Sequence, residues 1–255
     1  MGAGSGSHAI LNNGYFFRVP DGSIVMVSYF ANRGQHDDFD HMDYYGQVDV
    51  TAEGETTLGK MKYTTKVDFF RAWFKVNTKR TINYGSLELT WTAPELRTDK
   101  NELENVPAGR EVDTFITISR HDAPIAASQG LQGTIIGEIY GLFGTNNKTA
   151  PKADGMWVLD EVPSPDGDPC KRTPLTLKLS YDGLDLNGVD PNQLEVIRWK
   201  DNGGGWCKVA ELPDSRAEPN RIKVKVLQLT TWYALGTGFA PCPVNDNCTS
   251  ASAPK

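Results

Sequence analysis

The stretch that decides the fold is Pro174–Gly238, with the sequence PLTLKLSYDGLDLNGVDPNQLEVIRWKDNGGGWCKVAELPDSRAEPNRIKVKVLQLTTWYALGTG. Apolar and polar residues alternate along Leu175–Tyr181 and again along Ile222–Val226. This period is typical of strands with one face on a core and the other in water. The alternation slips at Leu227, which indicates either a β-bulge or a strand buried on both faces.

Turn-forming residues separate these strands. Glycine and asparagine tolerate positive φ, and proline presets φ for a turn. They occur at Asp182-Gly183, Asn187-Gly188, Asp190-Pro191, Asn202–Gly205 and Glu218–Asn220. Short strands with regularly spaced turns predict an all-β fold, an antiparallel β-sandwich with little helix, built as one large sandwich or two packed ones.

The rest of the chain carries strand patterns of other kinds. The β-branched residues of Ser23–Phe30 favour a buried strand, and Lys66–Val76 places aromatic residues on both faces. Leu87–Trp91 alternates, whereas Gly130–Gly144 has a glycine every few residues, as expected for bulges or close backbone packing.

Four regions are predicted along the chain. Residues 1–8 have neither the basic nor the apolar part of a signal peptide, and we interpret them as a leader or the remnant of a cloning linker. Residues 9–95 form an N-terminal β region and residues 96–238 a β-sandwich module. Residues 239–255 are rich in Pro, Asn and Ser and predict a tail or linker.

Part of the module resembles a known family. The residues that carry the resemblance are Leu175–Tyr181, Asp185–Asp190, Leu194–Trp199, Trp206 and Thr230–Gly236. They are similar to the C-terminal half of the β-sandwich module of netrin receptors, ankyrins and zonula occludens proteins, and Val106–Gly109 with Thr114–Ser119 looks like its earlier half. The resemblance implies a structural or interaction role, and relatives are common in large secreted bacterial proteins. Some members cleave themselves at a His-Phe-Ser triplet, but this chain has Gln228-Leu229-Thr230 there.

Composition and missing motifs narrow the function classes. The net charge is −6 and no run of Lys or Arg occurs, which argues against nucleic acid as the main partner. No apolar stretch approaches the ~20 residues of a membrane span. G-x-S-x-G, G-x-G-x-x-G and P-loop motifs are absent. Glycoside hydrolysis by a pair of carboxylates stays an open hypothesis, because the separation of the two carboxylates depends on the fold.

The chain has four cysteines, Cys170, Cys207, Cys242 and Cys248, and no C-x-x-C pair. An even count in an exported protein predicts two disulfides, for which three pairings exist. The short loop between Cys242 and Cys248 favours that pair, together with Cys170–Cys207. The alternative is four reduced thiols in the cytosol.

The densest group of metal-ligand residue types precedes two tyrosines. It consists of His36, Asp37, Asp38, Asp40, His41 and Asp43. Imidazole with carboxylate suits zinc or manganese, and carboxylates alone suit calcium. We predict no cofactor, with calcium as the alternative. The alternatives are a solvated acidic loop and an assembly contact. The other candidate cluster, Asp182, Asp185, Asn187 and Asp190, lacks EF-hand spacing and predicts turns.

Six tryptophans leave a sugar-binding hypothesis open. Trp199, Trp206 and Trp232 recur within the module pattern and are expected in the core. Tyr44, Tyr45 and Trp73 are the candidates for a surface that stacks on sugar rings.

These patterns together predict a non-enzymatic extracellular or cell-surface protein. We expect a subunit or module of an assembly such as a filament, surface layer or adhesin, with itself or other surface proteins as partners. Contact would be made through edge strands or a docked terminal segment. The alternative is a carbohydrate-binding module that binds glycans with or without calcium, and a third hypothesis is a glycosidase-like enzyme.

Overall fold

The computed structural model describes residues 9–18, 24–33, 44–56, 59–94, 114–122, 133–146, 157–159, 161–163, 172–200 and 205–243. Its strands are β1 (Ala9–Arg18), β2 (Ile24–Arg33), β3 (Tyr44–Thr56), β4 (Gly59–Phe74), β5 (Lys79–Tyr84), β6 (Leu87–Thr92), β7 (Thr114–Asp122), β8 (Thr134–Asn146), β9 (Trp157–Leu159), β10 (Leu175–Ser180), β11 (Glu195–Trp199), β12 (Trp206–Lys208), β13 (Arg221–Val226) and β14 (Thr231–Thr237). Within these residues the helical structure is a 3-10 turn, Pro191–Gln193.

The strands form two antiparallel sheets, which confirms the predicted fold class. The larger has ten strands in the order β1-β2-β3-β4-β7-β8-β14-β11-β12, with β9 paired to β8. The smaller has the order β13-β10-β6-β5. Strands from both sides of position 95 share each sheet, since β4 pairs with β7 and β6 pairs with β10.

The smaller sheet is amphipathic, as the alternation predicts. Leu177 lies between Leu89 and Val224 in the register, and all three are fully buried against the larger sheet. The opposite face is polar: Lys178 Nζ lies 3.0 Å from Glu88 and 2.7 Å from Glu218. The period of two therefore separates core from solvent on this sheet.

The slip at Leu227 has a simpler cause than either predicted one. Strand β13 ends at Val226. The carbonyl of Leu227 then accepts a hydrogen bond from the Val162 N–H at 2.6 Å, outside the sheet ladder. The two adjacent apolar residues mark a strand end, and the expectation of a bulge or a doubly buried strand here was wrong.

The central strands of the larger sheet are buried on both faces. Strand β14 has six consecutive buried residues, Thr231–Gly236. Tyr233 and Leu235 belong to the core between the sheets, whereas Trp232 and Ala234 are buried on the other face. A strand covered on both faces has a continuous apolar sequence rather than an alternating one.

Strand β8 contains the irregularity that its glycines predict. Ala234 of β14 pairs with Ile139, but the next residue, Leu235, pairs with Ile136. Gly137 lies in the extra segment of β8 and has φ +73°, a conformation in which a side chain would be strained. This confirms a glycine-containing bulge in β8.

We predict that Leu177→Ala destabilises the protein by about 2–5 kcal/mol, because it opens a cavity where β6, β10 and β13 meet. The measurement is the free energy of unfolding from urea denaturation. Thr176→Ala, on the polar face of the same strand, is the control and should cost less than about 1 kcal/mol. Equal losses for the two variants would contradict the assigned core.

Candidate functional site

The predicted metal-binding cluster, His36 to Asp43, lies outside the described residues. Within the described ranges, no group of three or more His, Cys, Asp and Glu side chains is placed to hold a metal ion. The metal site at the acidic stretch therefore stays a prediction.

The second carboxylate cluster forms turns, as expected. Asp185 Oδ1 accepts a hydrogen bond from the Asn187 N–H at 2.9 Å. Asp190 Oδ1 accepts one from the Asn192 N–H at 2.9 Å and caps the 3-10 turn. These carboxylates bind nearby backbone groups, which is how aspartate stabilises turns.

The module tryptophans lie in packed positions, as predicted. Trp199, Trp206 and Trp232 are buried on the face of the larger sheet that points away from the smaller one. The rings of Trp199 and Trp206 meet edge to face, 5.8 Å between centroids. A Cβ atom on Gly141 would come within 2.8 Å of Trp232 Cζ3, so this glycine makes room for the indole ring.

The candidate sugar-stacking residues meet in the register of β3, β4 and β7. Tyr44 pairs with Arg71, Tyr45 with Phe70, and Trp73 with Phe115. Among the tryptophans whose side chains the structure describes, Trp73 alone is partly exposed. Sugar stacking at Tyr44, Tyr45 and Trp73 therefore stays a prediction.

The disulfide joins Cys207 to Cys242, with 4.8 Å between their Cα atoms. The favoured pairing of Cys170 with Cys207 and Cys242 with Cys248 was wrong. After β14 the chain turns back along β12: the Lys208 N–H donates to the Ala240 carbonyl, and the Cys242 N–H donates to the Lys208 carbonyl, each at 2.8 Å. Backbone pairing, rather than proximity in sequence, brings the two sulfur atoms together. Cys170 and Cys248 lie outside the described residues.

Sequence reasoning missed the residue that anchors this return. Phe239 is buried, and its ring packs against the backbone of two glycines, Gly133 and Gly236. A Cβ atom would come within 2.7 Å of Phe239 Cε2 if added to Gly133, and within 2.9 Å if added to Gly236. The sequence feature that could have indicated this anchor is a single aromatic residue that follows a glycine at the start of a polar tail. We name the segment Phe239–Pro243 the β12 cap.

A hydrogen-bonded polar cluster links the two sheets at one end. The Tyr140 hydroxyl, on β8, accepts a hydrogen bond from the Ser86 N–H at 2.7 Å in the turn between β5 and β6. It lies 3.0 Å from Ser86 Oγ and donates to Glu138. Glu138 is also 3.6 Å from the guanidinium of Arg120. This cluster fixes the β5–β6 turn to the larger sheet.

The environment of Tyr140 keeps its hydroxyl protonated. Burial raises the pKa of Tyr140 well above its usual value, and the hydrogen bond to Glu138 raises it further. Since the folded pKa exceeds the unfolded value of about 10, the stability that this shift contributes is present below pH 10 and is lost above it.

We predict that Tyr140→Phe destabilises the protein by about 1–3 kcal/mol at neutral pH, because the Ser86 N–H loses its acceptor. The variant should also lose less stability than the parent between pH 10 and pH 12. Urea denaturation across this range is the measurement, with the partly buried Tyr181→Phe as control. Parallel pH profiles for Tyr140→Phe and the parent would contradict the assignment.

The sheet edges are the places where this fold can accept another strand. The β12 cap covers one edge of the larger sheet through its two hydrogen bonds to Lys208. On the smaller sheet, Glu211 forms an isolated bridge with Val224 of β13, and the Ser215 carbonyl accepts a hydrogen bond from the Lys223 N–H at 2.8 Å. Two of the four strands that end the described sheet orders are thus covered by neighbouring chain.

The other two edges differ in length and charge. Strand β5, on the smaller sheet, has six residues and begins with Lys79 and Arg80. Strand β1, on the larger sheet, has the sequence AILNNGYFFR, ten residues whose one charge, Arg18, stands at the last position. Within the described strands, β1 pairs with β2 alone. Short length and cations discourage edge pairing, and β1 has neither protection along its length.

The segment over β13 is held by a partly buried ion pair. Arg216 donates to the Glu211 carboxylate at 2.9 Å, and Ser215 Oγ donates to it at 2.8 Å. Burial alone would raise the pKa of Glu211, but the hydrogen bonds from Arg216 and Ser215 outweigh it and lower the pKa below its usual value. The stability from this shift is therefore present above about pH 4.5 and lost below it.

We predict that Glu211→Gln destabilises the protein by about 1–2 kcal/mol at pH 7 and less at pH 3, because the stability that the lowered pKa of Glu211 gives the parent is lost progressively below about pH 4.5. Chemical denaturation at the two pH values measures the difference. Asp214→Asn, at an exposed carboxylate of the same segment, is the control and should have a smaller effect. A loss from Glu211→Gln that is equal at both pH values would be inconsistent with the charge-assisted contact.

No protein-family model, curated protein or solved structure matches this chain. In the part of the chain that the structure describes, no helix is long and apolar enough to cross a membrane.

Proposed function

We propose that this chain is a non-enzymatic structural or interaction module of an extracellular assembly, such as a filament, surface layer or adhesin, and that it joins its neighbour through β1. The observation that carries the proposal is the difference among the four strands that end the described sheet orders. Three are capped, bridged or short and cationic, and β1 is long, largely uncharged and paired on one side within the described strands.

The physical basis is the backbone itself. An edge strand presents a row of N–H and C=O groups that another strand can satisfy, and main-chain hydrogen bonds then supply the affinity. Strand β1 is joined to the sandwich through β2, β3 and β4. Strands β3 and β4 pair from Tyr44 opposite Arg71 to Thr56 opposite Gly59. Strand β7 pairs only with the last residues of β4, Asp68–Phe74. The outer part of the β3–β4 hairpin thus extends past the β4–β7 pairing and bears β2, since Ile24–Val27 pair with Val50–Glu53.

Two further considerations support an extracellular setting. The Cys207–Cys242 disulfide suits an oxidising compartment, where such bonds persist. The resemblance to the sandwich module of netrin receptors, ankyrins and zonula occludens proteins, a module used mostly for structure and interaction, adds to the proposal from the sequence.

The test measures the mass of the purified protein by light scattering over a wide range of concentration. It compares the parent with two single proline variants at adjacent positions of β1. Successive N–H groups of a strand point to opposite sides, so one of Asn12→Pro and Asn13→Pro removes a donor from the outer edge and the other a donor to β2. We expect the parent to associate. The outer-edge variant should stay monomeric with an unchanged far-UV circular dichroism spectrum.

Asn12→Ala and Asn13→Ala are the matched controls, because they change the same side chains and keep both N–H groups. Both should associate like the parent. A parent that is monomeric at every concentration, or proline variants that both associate normally, would overturn the proposal.

A further inference from the structure

The β12 cap ends the larger sheet on the side opposite β1. It pairs parallel to β12 at Lys208 and Pro241, and the hydrogen bonds use both the N–H and the carbonyl of Lys208. Pro241 and Pro243 of the cap have no N–H, so the cap is a poor template for a further strand. Growth of the sheet beyond β12 is blocked while the cap is in place.

Two kinds of contact hold the cap. One is local and noncovalent: two backbone hydrogen bonds and the buried ring of Phe239. The other is the covalent bond from Cys207, which is buried in β12, to Cys242, which is partly exposed. The disulfide converts a short segment held by noncovalent contacts into a covalently fixed one.

We propose that the Cys207–Cys242 disulfide is a latch that sets the size of the assembly. With the cap fixed, β1 is the edge available, and two copies pair β1 to β1 in a closed dimer. With the cap released, β12 becomes a second edge, and copies join into open chains. This proposal rests on the proposed function, because it uses the same β1 contact.

The difference in size follows from symmetry. One self-complementary edge gives an isologous contact, which is used up when two copies meet. Two different edges on one molecule give a head-to-tail contact, which propagates unless a rotation closes it. The same sheet can therefore stop at two copies or continue, according to whether β12 is covered.

The partner on β1 is a second copy because the strand is compatible with its own antiparallel image. Pairing centred on Asn13 and Gly14 sets Arg18 of each copy opposite Ala9 of the other. The Cα atoms of the two Arg18 residues are then about 30 Å apart, at about 3.4 Å per residue, well beyond the screening length at physiological salt. No like charges face each other across this pairing.

Release of the latch is a thiol–disulfide exchange. A thiolate of an external dithiol attacks the sulfur of the partly exposed Cys242, and the Cys207 sulfur leaves and takes up a proton. The second thiol of the reagent then resolves the mixed disulfide. The reagent is oxidised by two electrons, and both cysteines end as thiols.

The experiment compares the oxidised parent with Cys207→Ala/Cys242→Ala by light scattering and negative-stain electron microscopy, using the purified full-length chain. Peptide mapping first verifies the Cys207–Cys242 bond. We expect twice the chain mass for the oxidised parent and particles that grow with concentration for the double variant. Cys170→Ala/Cys248→Ala is the matched control and should remain a dimer.

The outcomes separate this proposal from the proposed function. A monomeric parent with a dimeric double variant would support the latch and overturn β1 pairing. A double variant with the same mass as an associated parent would overturn the latch alone. With the outer-edge proline of β1 added to the double variant, open chains should disappear, and persistence of long chains would overturn their growth through β1.

The parent reduced by a dithiol and alkylated is the second preparation, because removal of a buried cysteine can impair folding. It should form the same growing particles with an unchanged far-UV circular dichroism spectrum. Loss of the β-sheet signal in both preparations would overturn the latch, since the bond would then hold the fold rather than the cap.

Discussion

The structure depends on the burial of one apolar face of the smaller sheet against the larger one. The leucines of β6 and β10 and the β-branched residues of β13 have no other place to be buried, and they meet the inner residues of β4, β7, β8, β11 and β14 in a single core. The hydrophobic effect is non-directional, so polar contacts between the sheets fix the position of one sheet on the other. Tyr140 makes such a contact, because its hydroxyl reaches Ser86 across the core.

This arrangement explains which strands the sequence predicts well. In a sheet with one solvent-exposed face, apolar and polar residues alternate along each strand. Strands β6, β10 and β13 follow that pattern from the first residue to the last. The central strands of the larger sheet are buried on both faces, so composition and glycine content indicate them instead of a period. Gly137 is informative there because its positive φ belongs to the bulge of β8.

The candidate site was less predictable, for a physical reason. Turn chemistry is local, so Asp185 and Asp190 could be assigned from their neighbours. A disulfide depends on which segments lie side by side in the fold. The Cys207–Cys242 bond follows from the pairing of residues 240–242 with Lys208, although the two cysteines are 35 residues apart in the sequence. The order of the strands in the sheet has the same non-local origin, and no residue of β1 identifies it as an edge strand.

The treatment of the edges then connects the fold to assembly. A protein that only had to remain monomeric would be expected to protect a ten-residue edge at least as carefully as a three-residue one. Within the described residues the protection is reversed: short β12 has a cap and a disulfide, while the long strand β1 has one arginine at its end. Covering an edge uses chain length and restricts the segment that covers it, and this uneven coverage is the basis of the proposed assembly. The proposed assembly through β1 and the proposed termination at β12 would then be two consequences of one distribution of backbone hydrogen-bonding groups.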